Sequence, residues 1–355
     1  MSEKYFLGTM TQYGFSTEFG SIIENPDYFT YILKGGAGTG KSSIMKKIAS
    51  EFEDTQDIIR FYCSSDPNSL DAIVLKGSKT AIVDGTSPHV FDPQYPGICQ
   101  KIINLGDNWN EAELQSHKDE IISVTDKNKS LMARAKRFST ALSNVCGDTY
   151  FCGLGLISSD KLEGFLERFK KKILGKKGSG EGKKIVRQLT ALTEFGCLTQ
   201  TETLENFLDV YYMTDDYFAC SHLIIEDISK EAARRGYNVT LCPSHVFNNN
   251  VYEHLLIPET GVALVSVNPL TELNTENGKI INLGRFYDKH AVSKLKSRLK
   301  MNKLTMKSLS QEIYGTLKSA KAVHDEIEKY YISAMDFEKI NDLSQCLINE
   351  IGNKA

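Results

Sequence analysis

Lys41 and Ser42 close the run "GGAGTGKS" within "YFTYILKGGAGTGKSSIMKKIA", which begins at Tyr28. Gly35, Gly40, Lys41 and Ser42 meet the spacing GxxxxGK[ST]. Glycines at such spacing let successive backbone N–H groups converge on phosphate oxygens, and the start of a helix adds its positive dipole end. The expected phosphate cradle is Gly35, Gly36, Ala37, Gly38, Thr39, Gly40, Lys41, Ser42 and Ser43. Lys41 would reach the β and γ phosphates, and Ser42 would offer a hydroxyl to Mg²⁺.

A Mg²⁺ site of this kind takes a second acidic partner from the end of a neighbouring strand. In "KTAIVDGTSPH" the apolar Ala81, Ile82 and Val83 lead into Asp84, the candidate metal partner. Gly85 and Thr86 follow it, so the glutamate that many ATPases use to orient water is missing there. The plainer reading of Asp84 is a strand-ending turn residue. Asp66, after the apolar run Ile58 to Cys63, is a candidate to orient water or deprotonate a hydroxyl, and equally a candidate cap for a following helix. His89 is a second candidate acid or base, or a loop histidine without a task.

These residues need elements to hold them. Tyr28 to Leu33 reads as a strand, and Ile44, Met45 and Ile48 recur at helical spacing, so the pattern predicts strand, loop, helix. Strands ending at Asp66 and Asp84 would converge on the same ligand, as in parallel α/β sheets.

The string KIINLG occurs at 101–106 and again at 279–284. Upstream of each copy "KTAIVDGTSP" faces "TGVALVSVNP", and "RFYCSS" faces "VTLCPS" with Cys63 opposite Cys242. The phosphate loop then faces "TDDYFACSHL", with Asp215 for Gly35, Cys220 for Gly40, Ser221 for Lys41, His222 for Ser42, and Ser266 or a neighbour for Asp84. Asp215 and Asp216 would repel a triphosphate. The second half therefore reads as a copy without its site. After each KIINLG comes a helical stretch, about 111–144 and 289–335, with stripes such as Val292, Leu295 and Leu299, or Ile313, Leu317, Ala320 and Val323.

The 355 residues suit roughly two domains. We expect residues 1–160 as a nucleotide-binding domain, 161–190 as a basic Gly/Ser/Lys-rich linker around Lys170 to Lys184, and 191–355 as the degenerate copy. The net charge of −3 sets no global bias toward nucleic acid, and aromatic residues are sparse in the basic stretch. No apolar run is long enough to span a membrane, and the opening residues lack a secretion signal, so the expected compartment is the cytoplasm. Eight cysteines without a CxxC pair read as free thiols.

"ILKGGAGTGKSSIMKKI", "CSSDPNSLD", "AIVDGTSPHVFDPQYPG", "INLGDNW" and, near the end, "SAKAVHDEIEKYYISAMDFEKIN" resemble an uncharacterised family of bacterial tandem P-loop ATPases. The resemblance covers nearly the whole chain and implies ATP binding through Gly35, Gly40, Lys41 and Ser42, with Asp84 near Mg²⁺. That family often keeps a second GxxGxGKS loop where this chain has "MTDDYFACSHL". The fold expected is α/β: two P-loop NTPase-like three-layer domains with mostly parallel sheets, related by duplication, each with an appended helical hairpin.

Three functions remain open on the sequence: a Mg²⁺-dependent ATPase, a kinase using Asp66 as base, and an ATP-dependent interaction protein with negligible turnover. The protein or small-molecule partner is not specified by any motif. Arg285, which follows the second KIINLG, is a candidate internal arginine finger or an ordinary loop arginine.

Overall fold

The structure is a computed structural model that describes residues 2–17, 20–23, 25–87, 90–175, 180–247 and 251–353. The first half runs β1 (Ser2–Phe6), β2 (Gly8–Thr11), β3 (Gly14–Thr17), α1 (Gly20–Ile23), β4 (Phe29–Lys34), α2 (Lys41–Phe52), β5 (Ile58–Tyr62), β6 (Leu70–Leu75), β7 (Thr80–Asp84) and β8 (Gln100–Asn104). A 3₁₀ turn, Leu105–Asn108, leads to α3 (Glu111–Ser116), α4 (Lys118–Leu154) and α5 (Ser159–Ile173). The second half repeats the scheme as β9 (Lys184–Val186), β10 (Thr190–Thr193), β11 (Gly196–Thr199), β12 (Asp209–Thr214), α6 (Ala219–Arg234), β13 (Val239–Pro243), β14 (Tyr252–Ile257), β15 (Val262–Val267) and β16 (Lys279–Asn282). The turn Leu283–Phe286 then leads to α7 (Lys289–Lys294), α8 (Lys296–Ser333) and α9 (Phe337–Gly352).

Each half builds a six-stranded mixed sheet, in the orders β1-β5-β6-β7-β4-β8 and β9-β13-β14-β15-β12-β16. In each, five strands share a direction and one, β6 or β14, runs against its neighbours. The two halves thus share strand order and strand direction. The central strands β4 and β7 are buried along almost their whole length, as their continuous apolar runs require. The edge strands β8 and β16 carry Lys101 and Lys279, charges that discourage pairing with another chain.

The duplicated hexamer supplies this edge and the turn after it. Ile103 and Ile281 point inward at 8% and 9% exposure, while Ile102 and Ile280 face outward at 45% and 60%. Asn104 and Asn282 cap the turn, their side chains accepting from the N–H of Gly106 and Gly284. Leu105 and Leu283 are fully buried.

Contacts within the chain define two compact units, residues 1–9, 15–135 and 315–355 in the first and residues 10–14 and 136–314 in the second. The short helix ending each helical stretch packs with the other half's sheet: α9 sits in unit 1 and α5 in unit 2. In unit 1, Ile340, Leu347, Ile348 and Ile351 of α9 join Ile44, Met45 and Ile48 of α2 over Tyr31, Leu33 and Ile82. Each such buried side chain contributes about 2 kcal/mol. In unit 2, Leu162, Leu166, Phe169 and Ile173 of α5 meet Ile224, Ile225 and Ile228 of α6.

The same backbone clasp admits the helix in both units. In unit 1 Asn110 N–H donates to Ala334 O and Asp336 N–H to Asn108 O, at 2.7 and 3.1 Å. In unit 2 Asp288 N–H donates to Leu156 O and Ser158 N–H to Phe286 O, both at 2.8 Å. A helix of 37 residues, as α4 is, rises about 55 Å.

Two expectations change. The segment 161–190, read as a linker, contains α5 and the strand β9, and its lysines line one side of an amphipathic helix whose Lys170 pairs with Asp227 at 2.8 Å; residues 176–179 lie outside the described residues. Cys63 and Cys242 are not equivalent. Both halves bulge at the end of the strand, between Phe61 and Tyr62 and between Cys242 and Pro243, which places Cys242 at the position of Phe61.

Candidate functional site

The loop Gly35–Gly40 joins the end of β4 to the start of α2. Gly38 and Gly40 have φ of +68° and +86°, a region that side-chain-bearing residues enter at a cost. Gly40 then accepts the first helical bond, from Ile44 N–H at 2.9 Å. Lys41, 9% exposed, turns back over the loop: its Nζ donates to Gly35 O at 3.0 Å and Gly36 O at 2.6 Å. Thr39 Oγ1 donates to Gly36 O at 2.9 Å, fixing the loop's width. Ala37 is half-buried on the loop, and Ser43 is exposed on the first turn of α2.

Asp84 ends β7 directly beside Leu33 of β4, and its Oδ2 lies 3.6 Å from Lys41 Nζ. Asp84 Oδ1 accepts from the N–H and hydroxyl of Thr86, at 2.9 and 2.5 Å. Lys34 anchors the segment beyond, donating to Gly85 O and Phe91 O. Ser42 Oγ accepts from Leu70 N–H at 3.0 Å, which ties the start of α2 to β6. Lys41, Ser42 and Asp84 therefore stand together at one end of the sheet.

Asp66 precedes the strand β6, so it caps no helix. It accepts from Asn68 N–H at 3.2 Å and Ser69 Oγ at 2.9 Å, and Lys321 Nζ approaches it at 3.5 Å. Burial works against the charge on Lys321, but Asp325 and Asp66 hold its ammonium above the ordinary lysine value. His89 lies outside the described residues.

Sequence reasoning missed the residues of α8 that cover the loop. A Cβ at Gly36 would stand 3.1 Å from the Tyr331 ring, and one at Gly38 would stand 2.9 Å from both the Glu328 carbonyl and Ile332 Cγ1. Tyr331 in turn packs on Trp109, with ring centroids 5.5 Å apart. The only sequence signal was the pair "INLGDNW" and "EIEKYYISAM", distant in the chain and adjacent in unit 1.

In unit 2 the equivalent loop is shorter. Thr214 ends β12 and Ala219 starts α6, leaving four residues where the first loop has six. Phe218, at φ +63°, takes the place of Gly40, so Ala219 and Cys220, not Ser221 and His222, replace Lys41 and Ser42. Ser266 pairs with Met213 as Asp84 pairs with Leu33.

Asp215, 2% exposed, fills the loop with its own carboxylate. Its Oδ2 accepts from Ser221 N–H and Oγ at 2.8 and 2.9 Å, and its Oδ1 from Tyr217 N–H and Tyr287 Oη at 3.1 and 2.7 Å. Burial raises the Asp215 carboxyl above the usual range despite these donors. A cavity of about 730 Å³ opens beside it, lined by Asp216, Asn268, Thr271, Asn282 and Lys289 among others. Arg285 stacks on Phe165 and Phe286 within unit 2, its guanidinium carbon 5.1 and 4.7 Å from the ring centres.

No family model matches the chain, and neither does any curated protein or solved structure.

Proposed function

We propose that this chain binds Mg-ATP at one site, the loop of unit 1, and hydrolyses it, with two P-loop-like halves of which only the first is live. Lys41 carries the reading. It is an almost buried ammonium, set over loop carbonyls and 3.6 Å from Asp84, where an incoming phosphate would give it a charged partner. Ser42 and Asp84 are the residues that would hold Mg²⁺: the Ser42 hydroxyl oxygen accepts one bond from Leu70, and Asp84 Oδ2 lies within ion-pair range of Lys41. The metal would neutralise charge on the β and γ phosphate oxygens. In unit 2, Asp215 takes the Ser221 N–H and the Tyr287 hydroxyl oxygen takes the Cys220 N–H, donors at the start of α6 that a phosphate would need.

Transfer of the γ-phosphate to a small molecule is the second reading, and Thr86 favours it. Gly85 and Thr86 stand where a water-orienting carboxylate would follow Asp84, and Thr86 instead donates twice to Asp84 Oδ1. Asp66 would be the base, released from Lys321. The eight unpaired cysteines support a reducing compartment, the cytoplasm.

Calorimetric titration with Mg-ATP, alongside Lys41→Ala, tests the site. One site per chain, lost in the variant, is expected; no binding by the intact protein overturns the proposal, and two sites would make the second loop live. The fate of labelled γ-phosphate then separates hydrolysis, transfer to an acceptor, and binding without turnover.

A further inference from the structure

Unit 2 holds a second cluster of reactive side chains, independent of the nucleotide reading. The hairpin of β10 and β11 presents Cys197, which is partly exposed. Its Sγ lies 3.6 Å from His245 Nε2 and 3.9 Å from Nδ1. Glu253 Oε2 lies 3.6 Å from His245 Nδ1, and Glu253 Oε1 accepts from Asn268 Nδ2 at 3.2 Å. His245 is 1% exposed and Glu253 5%.

Glu253 Oε2 is buried and makes no hydrogen bond among the described residues. A carboxylate so placed requires a nearby cation, and His245 is the group in ion-pair range. An imidazolium held there stabilises the neighbouring sulfur as thiolate, the reactive form of cysteine. We propose that Cys197, His245 and Glu253 form a nucleophilic triad that takes an acyl group from a small thioester.

Burial opposes the charge on His245, yet the Cys197 sulfur and the Glu253 carboxylate lift it well above the ordinary imidazole value. Glu253 is raised by burial but brought below its usual range by His245. The neighbouring His254 cannot replace His245: burial lowers it to about 4, and its two nitrogens meet Thr190 Oγ1 and Ser266 N–H.

In the reaction, the Cys197 thiolate attacks the thioester carbonyl carbon. The new C–S bond forms as the bond to the departing sulfur breaks, and the departing thiolate takes the proton of His245. Neutral His245 then draws a proton from water, which attacks the acyl-cysteine and releases the carboxylic acid, restoring the thiolate and imidazolium. Thioesters are the favoured class because a thiolate displaces a thiolate of similar basicity, so the carbonyl needs less activation than that of an ester or amide. Thr271, whose Oγ1 is 3.9 Å from the sulfur, also lines the 730 Å³ cavity, as does Asn268, the donor to Glu253.

The probe is the acetyl thioester of N-acetylcysteamine, with adducts assigned by peptide mass spectrometry and thiol release followed in parallel. Acylation of Cys197 near pH 7 is expected to be about ten-fold or more faster than that of Cys346, the exposed cysteine that serves as internal control. His245→Asn should lower the Cys197 rate about ten-fold or more and leave Cys346 unchanged. Equal rates at the two cysteines, or an unchanged rate in the variant, overturn the proposal. A measurement on the wild-type chain guards against misfolded variants: the pH profile of iodoacetamide alkylation at Cys197. The groups facing it are His245, Glu253, Glu272 and Tyr314, with His254 neutral behind them. Faster alkylation of Cys197 than of Cys346 is expected at about pH 6, and equal rates there refute the triad.

Discussion

Asp215 and Ser221 are joined twice, the carboxylate Oδ2 accepting from both the backbone N–H and the hydroxyl of Ser221. Where unit 1 has a six-residue loop with an open helix start, unit 2 has a four-residue loop closed by its own anion. In unit 2 an internal carboxylate therefore sits against the start of α6 and complements the partial positive charge of the helix N-terminus.

Asp215→Ala should therefore destabilise unit 2 by about 3 kcal/mol, because it strands the Ser221 N–H and the Tyr287 hydroxyl in a buried place. Urea unfolding at pH 7 measures this. Asp215→Asn adds a test of sign. Burial holds the folded carboxyl above the ordinary aspartate range, so protons favour the folded state. Its contribution is fully present below the unfolded value and is lost as pH rises through the folded one, and the Asn variant should lack that slope.

Gly38 and Gly147 make opposite predictions for the same substitution. Gly38→Ala forces a Cβ to 2.9 Å from the Glu328 carbonyl at φ +68°, and should cost about 2 kcal/mol or more with the loop displaced. Gly147 lies inside α4 with nothing within 4 Å of a new Cβ, and Gly147→Ala should stabilise by about 0.5–1 kcal/mol. Melting temperatures of the two variants should fall on opposite sides of wild type.

His254 gives a pH signature of its own. It is lowered to about 4 by burial, so between pH 6.5 and 4 the unfolded chain binds a proton that the folded chain does not. Stability supplied by neutral His254 is present above 6.5 and lost as pH falls, by up to about 3 kcal/mol. The comparison is with His254→Gln, which keeps polar atoms near Thr190 and Ser266: its urea midpoint should change less between pH 7 and pH 4.5 than that of wild type.

The likeness of the two halves was legible because KIINLG is a local device, an edge strand with an inward Ile, an Asn cap and a buried Leu, and local devices repeat as strings. The equivalences drawn from it drifted where the copies differ in backbone. The shorter second loop moved Phe218 onto Gly40, and the shared bulge separated Cys242 from Cys63. Lys41, Ser42 and Asp84 were readable because strand, loop and helix lie close in sequence. Cys197, His245 and Glu253 form no motif, since three separate elements deliver them. Helical spacing likewise marked apolar stripes in α5 and α9 without saying which sheet each would meet.

That last ambiguity yields the most direct test of the fold. Trp109 is the chain's single tryptophan, and it pairs in an isolated bridge with Met335 at the entrance to α9. Ile351, fully buried in unit 1, belongs to a helix that is distant in sequence from the sheet it covers. Ile351→Ala should lower the stability reported by Trp109 fluorescence by about 2–4 kcal/mol. Phe169→Ala in α5 removes a buried side chain from unit 2, and should leave the native emission of Trp109 unchanged while accelerating hydrogen exchange in α6. If Trp109 instead responds to Phe169→Ala and ignores Ile351→Ala, each terminal helix covers its own half and the exchange of helices between the units is wrong.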